Sequence, residues 1–168
     1  MCGIAGIMTI NGSPPRDADL DALTEALRHR GPDGEGRYQS QSIGFIQTRL
    51  AIIDLKTGDQ PLYAEQDGEN RCALVGNGEI YNYVELREEL GAENFTTHSD
   101  CEPPLQLYLR HGVNYPQYLR GMYALAIHDP SKDRLILSRD PFGIKPLYYA
   151  ETSDGFAFAS EPQALIAA

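Results

Sequence analysis

Cysteine and long apolar runs are both scarce in this sequence. The cysteines are odd in number and lie far apart, at Cys2, Cys72 and Cys101. Such spacing excludes a disulfide framework and the paired thiols of a zinc site. No segment approaches the ~18 to 20 apolar residues of a membrane-spanning helix, and the first residues lack the basic and apolar regions of a signal peptide. We therefore predict a cytoplasmic protein that has no membrane partner.

Positive charge is also sparse. Lysine and arginine number 14 against 24 aspartate and glutamate residues, which gives a formal net charge of -10. The lysines form no cluster that could follow a phosphate backbone, so we predict no nucleic-acid partner. The histidines lack metal-ligand spacing, which predicts no metal site. These four residues are His29, His98, His111 and His128.

The remaining composition is that of a globular domain. Hydrophobic residues make up 42% and charged residues 23% of the 168 positions, and a chain of this size buries ~70% of its unfolded surface. There is no internal repeat, and glycine and proline fall between short periodic segments without forming a linker. We predict one domain over residues 1–168.

Apolar periodicity predicts a mixture of strands and helices. In the first half, strands are expected at Cys2–Ile10, Ile43–Ile46, Leu50–Leu55 and Ala73–Val75, and a helix on Leu20, Leu23 and Leu27. A second helix is expected from Asn82, with Glu85 completing a capping box, to Gly91. A third begins at Pro103 and ends at Gly112.

The last part of the chain changes to strand periodicity. Four short runs resemble a meander: Met122–His128, Arg134–Arg139, Leu147–Ala150 and Phe156–Ala159. Strands, then helices, then strands again without regular alternation predict an α+β class, with sheets covered by helices on their outer faces.

Cys2 directly follows the initiator methionine. If Met1 is removed, Cys2 has a free α-amine with a reference pKa of ~7.7 to 8.0 beside a thiol of ~8.5. One residue then supplies both a nucleophile and the base that accepts its proton. Considered alone, however, Cys2 is more simply a cysteine that happens to stand at the second position.

Six segments in order give that position a context. They are Met1–Ile7, Arg28–Asp33, Arg49–Asp54, Asn77–Asn82, Ser99–Glu102 and Arg139–Tyr148. Together they resemble the N-terminal glutaminase domain, a class II glutamine amidotransferase domain, of glutamine-hydrolysing asparagine synthases. The resemblance extends from Met1 to about Leu165.

The resemblance implies a four-layer αββα sandwich of the N-terminal-nucleophile hydrolase type. It also implies that Cys2 attacks the side-chain amide of glutamine, releases ammonia and passes through a glutamyl thioester. Asn77 and Gly78 correspond to the donors that stabilise the oxyanion, and losing one such donor typically costs ~10² to 10³ in rate.

The same resemblance assigns substrate binding to Arg49, Leu50, Ile52, Asn77, Glu79 and Asp100. Arg49 corresponds to the partner of the α-carboxylate, which suits a bidentate guanidinium. Glu79 and Asp100 correspond to the groups that hold the α-ammonium.

Each of these residues also has a simpler interpretation when it is considered singly. Arg49 and Glu79 could be surface charges, Asp100 could cap the helix that begins at Pro103, and Asn77–Gly78 could form a hairpin turn. The chain also departs from the family at Gln47–Thr48, where a histidine is common, and at Pro103–Pro104, where apolar residues are expected.

The sequence contains no phosphate-binding Gly-x-x-x-x-Gly-Lys-Ser/Thr loop and no Ser-Gly-Gly-x-Asp motif. We therefore expect no cofactor in this chain, with ATP and magnesium used only by a separate synthetase domain or subunit that accepts the ammonia. A homodimer is possible. The alternatives are a glutaminase that supplies ammonia to a different acceptor, and a non-catalytic glutamine-binding domain.

Overall fold

Two antiparallel sheets form the centre of the structure, a computed structural model that describes residues 1–65 and 71–168. The strands are β1 (Gly3–Thr9), β2 (Gly34–Gln39), β3 (Ile43–Arg49), β4 (Leu62–Glu65), β5 (Arg71–Ile80), β6 (Gly121–Asp129), β7 (Arg134–Arg139), β8 (Tyr148–Glu151) and β9 (Gly155–Ala159). The helices are α1 (Asp17–Leu27), α2 (Tyr83–Leu90), α3 (Pro103–His111) and α4 (Pro162–Ala167).

The sheets stack between two layers of helices. One sheet has the strand order β2-β3-β1-β9-β8 and the other β4-β5-β6-β7. Helices α1 and α4 pack on the first sheet, and α2 and α3 pack on the second. The predicted α+β class and the four-layer αββα sandwich are confirmed.

The alternation of side chains along each strand explains the layers, because successive residues point to opposite faces of a sheet. On β5, Leu74 packs towards α2 and α3, whereas the next residue, Val75, faces the other sheet. On β1, Ile4 lies between the sheets and Ala5 packs against the α1 and α4 layer. Because these strands are buried on both faces, they read as continuous apolar runs in the sequence.

The predicted strand at Leu50–Leu55 is wrong. Ile52 and Leu55 are 74% and 68% exposed, and the chain turns at Asp54, where φ is +49°. Strand β3 has lost its neighbours by this point: Arg49 pairs with the first residue of β2, and Thr48 pairs with the first residue of β1. Without a neighbouring strand to pair with, the apolar run continues as a loop, in which side chains take up backbone groups such as the Ala51 N–H, a donor to Asp33.

Two strands were missed. Strand β2 contains two glycines, which disfavour strands, and β4 is only four residues long. Gly36 in β2 is nevertheless required, because a Cβ there would lie 1.8 Å from the Gln60 carbonyl oxygen. This close packing depends on tertiary contacts that composition does not reveal.

The predicted bounds of α2 and α3 agree with the structure, but the predicted capping role of Asn82 is wrong. The Asn82 side chain makes no capping bond to α2. Its amide instead donates to the Tyr118 carbonyl at 3.0 Å and accepts from the Arg120 N–H at 2.8 Å. Asn82 therefore ties the start of α2 to the segment that leads into β6.

Among residues 1–65 and 71–168, no helix is long and apolar enough to cross a membrane. The same residues contain no group of three or more histidine, cysteine, aspartate or glutamate side chains that could hold a metal ion.

Candidate active site

Cys2 lies where the pairing of β1 and β3 ends. Gly3 pairs with Thr48, so Cys2 comes beside Leu50 just beyond the end of β3. The Leu50 N–H donates to the Cys2 sulfur at 3.4 Å, and the thiol lies 3.6 Å from the Leu50 carbonyl oxygen. A glycine is needed next in the chain, because a Cβ at Gly3 would lie 2.7 Å from Thr48 Oγ1. The sheet register thus fixes the thiol against the loop that follows β3.

Arg30 anchors this start of the chain, a role that sequence reasoning missed although Arg30 lies within one of the quoted motifs. Its Nε donates to the Cys2 carbonyl at 3.0 Å, and its guanidinium pairs with Glu161 at 2.6 Å. The hydrogen bond from Arg30 holds the pKa of the Glu161 carboxyl below its ordinary value. The Cys2 backbone is therefore connected to the start of α4 through a buried cation.

A cavity of about 110 Å³ opens in front of the Cys2 thiol. All eight predicted site residues line it: Cys2, Arg49, Leu50, Ile52, Asn77, Gly78, Glu79 and Asp100. A larger cavity of about 480 Å³, which opens beside β4, contains none of them. The larger cavity is therefore not the one that contains the predicted site residues, so cavity size alone would select the wrong candidate.

Asn77 and Gly78 lie within β5, where they pair with Ala124 and Tyr123. They do not form the hairpin turn that the sequence also allowed. Asn77 is 2% exposed, and its Nδ2 has no hydrogen-bond partner among the described residues. Leaving a buried donor unpaired costs ~1 to 3 kcal/mol. An unpaired amide that faces a cavity is therefore a donor suited to a ligand.

The Gly78 N–H is directed to the same side of the strand. The Gly76 N–H donates to Gln60 Oε1 at 2.6 Å, and the Ile80 N–H donates to Asp100 Oδ2 at 2.8 Å. Because backbone direction alternates along a strand, the Gly78 N–H lies between these two and points away from β6. The Gly78 N–H and the Asn77 amide thus form a pair of donors on one wall of the cavity.

Arg49 is not a surface charge, since it is only 8% exposed. Its two terminal nitrogens donate to the Asp59 carboxylate and to the Asp54 carbonyl, each at 2.5 Å. A Cβ at Gly58 would lie 3.0 Å from one of these nitrogens. The loop after β3 therefore folds around the guanidinium and holds it at the cavity.

Asp100 and Glu79 place negative charge in the wall of the same cavity. Asp100 is buried and binds the Ile80 N–H, so it does not cap α3. Burial raises the pKa of the Asp100 carboxyl, and the neighbouring Glu79 carboxylate raises it further. Glu79 itself is exposed at the rim. A cation bound beside these two carboxylates would stabilise both of them, because its positive charge offsets the cost of burying Asp100 and the repulsion between the two negative charges.

Two further carboxylates position the loops around the cavity, and sequence reasoning assigned no role to either. The fully buried Glu102 accepts from the N–H groups of Thr96 and Thr97 at 2.8 Å each. Asp54 accepts from the His98 N–H at 2.8 Å. Asp54 thereby joins the loop that holds Arg49 to the segment that leads to Asp100.

Comparison with known proteins agrees with this geometry. The family model for a glutamine amidotransferase domain matches residues 1–168. The chain is similar to asparagine synthetase [glutamine-hydrolyzing] 2 of Bacillus subtilis, with 41% identity over 98% of this chain and 22% of that protein. It is also similar to asparagine synthetase B [glutamine-hydrolyzing] of Escherichia coli, with 41% identity over 99% of this chain and 30% of that protein. The chain therefore spans less than a third of these curated relatives.

Solved structures show the same fold. The glutamine phosphoribosylpyrophosphate amidotransferase of B. subtilis superposes with a TM-score of 0.79 at 24% identity, over 99% of this chain and 43% of that one. An allosteric regulatory enzyme of purine biosynthesis superposes with a TM-score of 0.81 at 24% identity, with the same coverage. The fold is of the N-terminal-nucleophile hydrolase type. Together with the match of the family model over residues 1–168, this establishes that the chain belongs to the glutamine amidotransferase family.

Proposed function

We propose that this chain hydrolyses the side-chain amide of glutamine to glutamate and ammonia through a thioester on Cys2. One observation carries the proposal: a thiol, a buried guanidinium and an unpaired buried amide donor line the same small cavity. Each of these groups has a different task in amide hydrolysis, namely attack, binding of the substrate carboxylate and stabilisation of the oxyanion.

The reaction begins with proton transfer from the Cys2 thiol to the Cys2 α-amine. The sulfur attacks the amide carbon, and the resulting oxyanion accepts hydrogen bonds from the Asn77 amide and the Gly78 N–H. The α-ammonium of Cys2 then gives its proton to the leaving nitrogen, the C–N bond breaks and ammonia departs. Water attacks the thioester in the same manner, which releases glutamate and restores the thiol.

This mechanism requires removal of Met1, because an amide nitrogen at Cys2 cannot serve as the base. Met1 lines the cavity and is 56% exposed. Its departure would both free the amine and leave more room for glutamine. The proposed active form therefore begins at Cys2.

Glutamine binding uses the opposite charges in the wall of the cavity. Arg49 binds the α-carboxylate, while Asp100 and Glu79 bind the α-ammonium. Leu50 and Ile52, in the loop after β3, complete the wall against which the substrate lies.

Changing Arg49 to lysine is expected to raise the KM for glutamine by ~10-fold or more, with a smaller change in kcat. An ammonium cannot reproduce a bidentate bond to a carboxylate, and hydrogen bonds to charged groups contribute ~1.5 to 3 kcal/mol. Steady-state assays of glutamate release measure both constants. Arg37→Lys is the matched control, since Arg37 pairs with Asp17 and Asp21 on the surface. A KM that stays at the parent value in R49K would remove Arg49 from the binding site.

We further propose that the ammonia is used for ATP-dependent synthesis of asparagine from aspartate by a synthetase domain or subunit. The names of the curated relatives support this acceptor. With glutamine labelled with ¹⁵N in its side-chain amide, the chain alone should release labelled ammonium and make no asparagine. Addition of a synthetase domain of the relatives' kind, with ATP, magnesium and aspartate, should yield labelled asparagine. A control with free ammonia shows whether the synthetase is active. If it is active but the label from glutamine stays in ammonium, the chain supplies a different acceptor.

The direct test of the glutaminase is intact-mass analysis before and after treatment with 6-diazo-5-oxo-norleucine, an electrophile that resembles glutamine. We expect loss of the Met1 mass, followed by one adduct that peptide mapping places on Cys2. Excess glutamine should slow the labelling, because both compete for the same cavity. A processed chain that binds glutamine but forms no adduct at Cys2 would instead be a non-catalytic binding domain.

A further inference from the structure

Lys145 is a buried lysine in the wall of the Cys2 cavity to which neither the sequence motifs nor the reaction described above assign a role. It is 7% exposed and lines the cavity together with Cys2, Asp100 and Met122. Its Nζ lies 3.5 Å from the Met1 sulfur. Within residues 1–65 and 71–168, no carboxylate lies close enough to form an ion pair with it.

The backbone around Lys145 is held firmly. The carboxylate of Asp140, which is 3% exposed, accepts from the N–H groups of Phe142, Ile144 and Lys145 at 2.9 to 3.1 Å. The Arg139 side chain donates to the Lys145 carbonyl at 2.7 Å. This turn after β7 therefore aims one cation into the cavity without supplying a counter-ion for it.

A buried ammonium that has only a thioether as its partner is costly, since a thioether is a weak acceptor and burial disfavours charge. Met1 is bonded to Cys2, so removal of Met1 takes away that partner and creates a free α-amine at Cys2 in the same cavity. Cys2, Cys101 and Lys145 line the same small cavity.

We propose that the Lys145 ammonium stabilises the Cys2 thiolate, which makes Lys145 a positioning residue of the glutaminase. The inference rests on the proposed function and extends it. Opposite charges attract, so an ammonium near Cys2 favours the thiolate over the thiol. The thiolate is the nucleophile, and its stabilisation favours the proton transfer to the α-amine that begins the reaction.

Other charged and titratable groups face the same cavity. Arg49 enters from the end of β3, Glu79 from β5, and Asp100 and Cys101 from the segment before α3. Arg49 is engaged by Asp59 and Asp54, and the carboxyls of Glu79 and Asp100 oppose thiolate formation. Arg30, which binds the Cys2 carbonyl, is paired with Glu161. Among the described residues that line the cavity, Lys145 is therefore the cation without a carboxylate partner.

The test is the pH dependence of Cys2 alkylation by iodoacetamide, followed by mass spectrometry of the peptide that contains Cys2. It uses the full chain after Met1 removal has been verified by intact mass. In K145M the midpoint of the alkylation profile should rise by about one pH unit, which is a tenfold change in the ionisation constant. K145R keeps the positive charge and should stay near the parent midpoint. Lys56→Met removes the same charge from an exposed loop and should also leave the midpoint unchanged.

Glutaminase kinetics give an independent readout. At pH 7, kcat should fall ~10-fold in K145M and recover as the pH is raised, while the KM for glutamine changes little. If circular dichroism shows that K145M does not fold, K145Q is used for the same titrations. An unchanged midpoint in a folded neutral variant would overturn the role of Lys145. A shifted midpoint in a chain that never hydrolyses glutamine would support that role and contradict the proposed function instead.

Discussion

Replacing Cys2 with alanine is expected to lower kcat for glutamine hydrolysis by at least ~10⁴-fold and to leave glutamine binding nearly unchanged. Loss of a nucleophile in a hydrolase that uses covalent catalysis has effects of up to ~10⁶-fold, because the remaining groups bind the substrate but cannot form the covalent intermediate. The proposed binding groups lie elsewhere on the cavity wall, with Arg49 at the end of β3, Glu79 on β5 and Asp100 before α3. Glutamate release measures the rate, and calorimetric titration measures the affinity.

Cys72→Ala is the matched control for this change. Cys72 is fully buried in the core beside α2 and α3, outside the cavity, and burial raises the pKa of its thiol to about 12. Its removal should leave kcat within a few-fold of the parent value. If C2A hydrolysed glutamine at the parent rate, the thioester mechanism would be wrong.

Replacing Asn77 with alanine is expected to lower kcat by ~10² to 10³-fold with little change in KM. The Asn77 amide is a donor without a partner in the unliganded cavity, and in the proposed mechanism its bond becomes strong only when the oxyanion forms. Loss of such an interaction lowers kcat and kcat/KM together. Steady-state kinetics with glutamine would show the separation between kcat and KM.

Stability measurements sharpen the test of Asn77. The alanine variant loses no hydrogen bond within the described residues, so its thermal unfolding should occur at or slightly above the parent temperature. Asn82→Ala is the contrasting control, because Asn82 is equally a buried asparagine but bonds Tyr118 and Arg120. N82A should lower Tm by several degrees, which corresponds to ~1 kcal/mol or more, and should largely retain kcat. An N77A variant with lower Tm and parent kcat would make Asn77 a structural residue.

Much of the fold could be predicted because the relevant signals are local. Helix α2 ends just before Gly91, where φ is +86°. Helix α3 begins with two prolines, whose missing N–H groups lose no helical hydrogen bond in the first turn. The strands of the second half, such as β7 at Arg134–Arg139, are bounded by turn residues. Leu50–Leu55 had the same apolar character, but its strand assignment failed because pairing depends on where the neighbouring strands end.

The sequence by itself determined the family, since motif order is written in the chain, and it supplied the residue types on which the proposed chemistry depends. It also left each assignment open to a simpler interpretation. Only the tertiary structure excluded the simpler interpretations of three residues: Arg49 is enclosed, Asp100 binds β5 instead of capping α3, and Asn77 lies in a strand with its amide unpaired among the described residues. Whether a side chain is buried, and whether it has a hydrogen-bond partner, depends on which segments far apart in sequence lie next to each other in the fold. For the same reason, the sequence does not reveal that Lys145 lines the Cys2 cavity, because this depends on the turn after β7 lying beside the residues that precede β1.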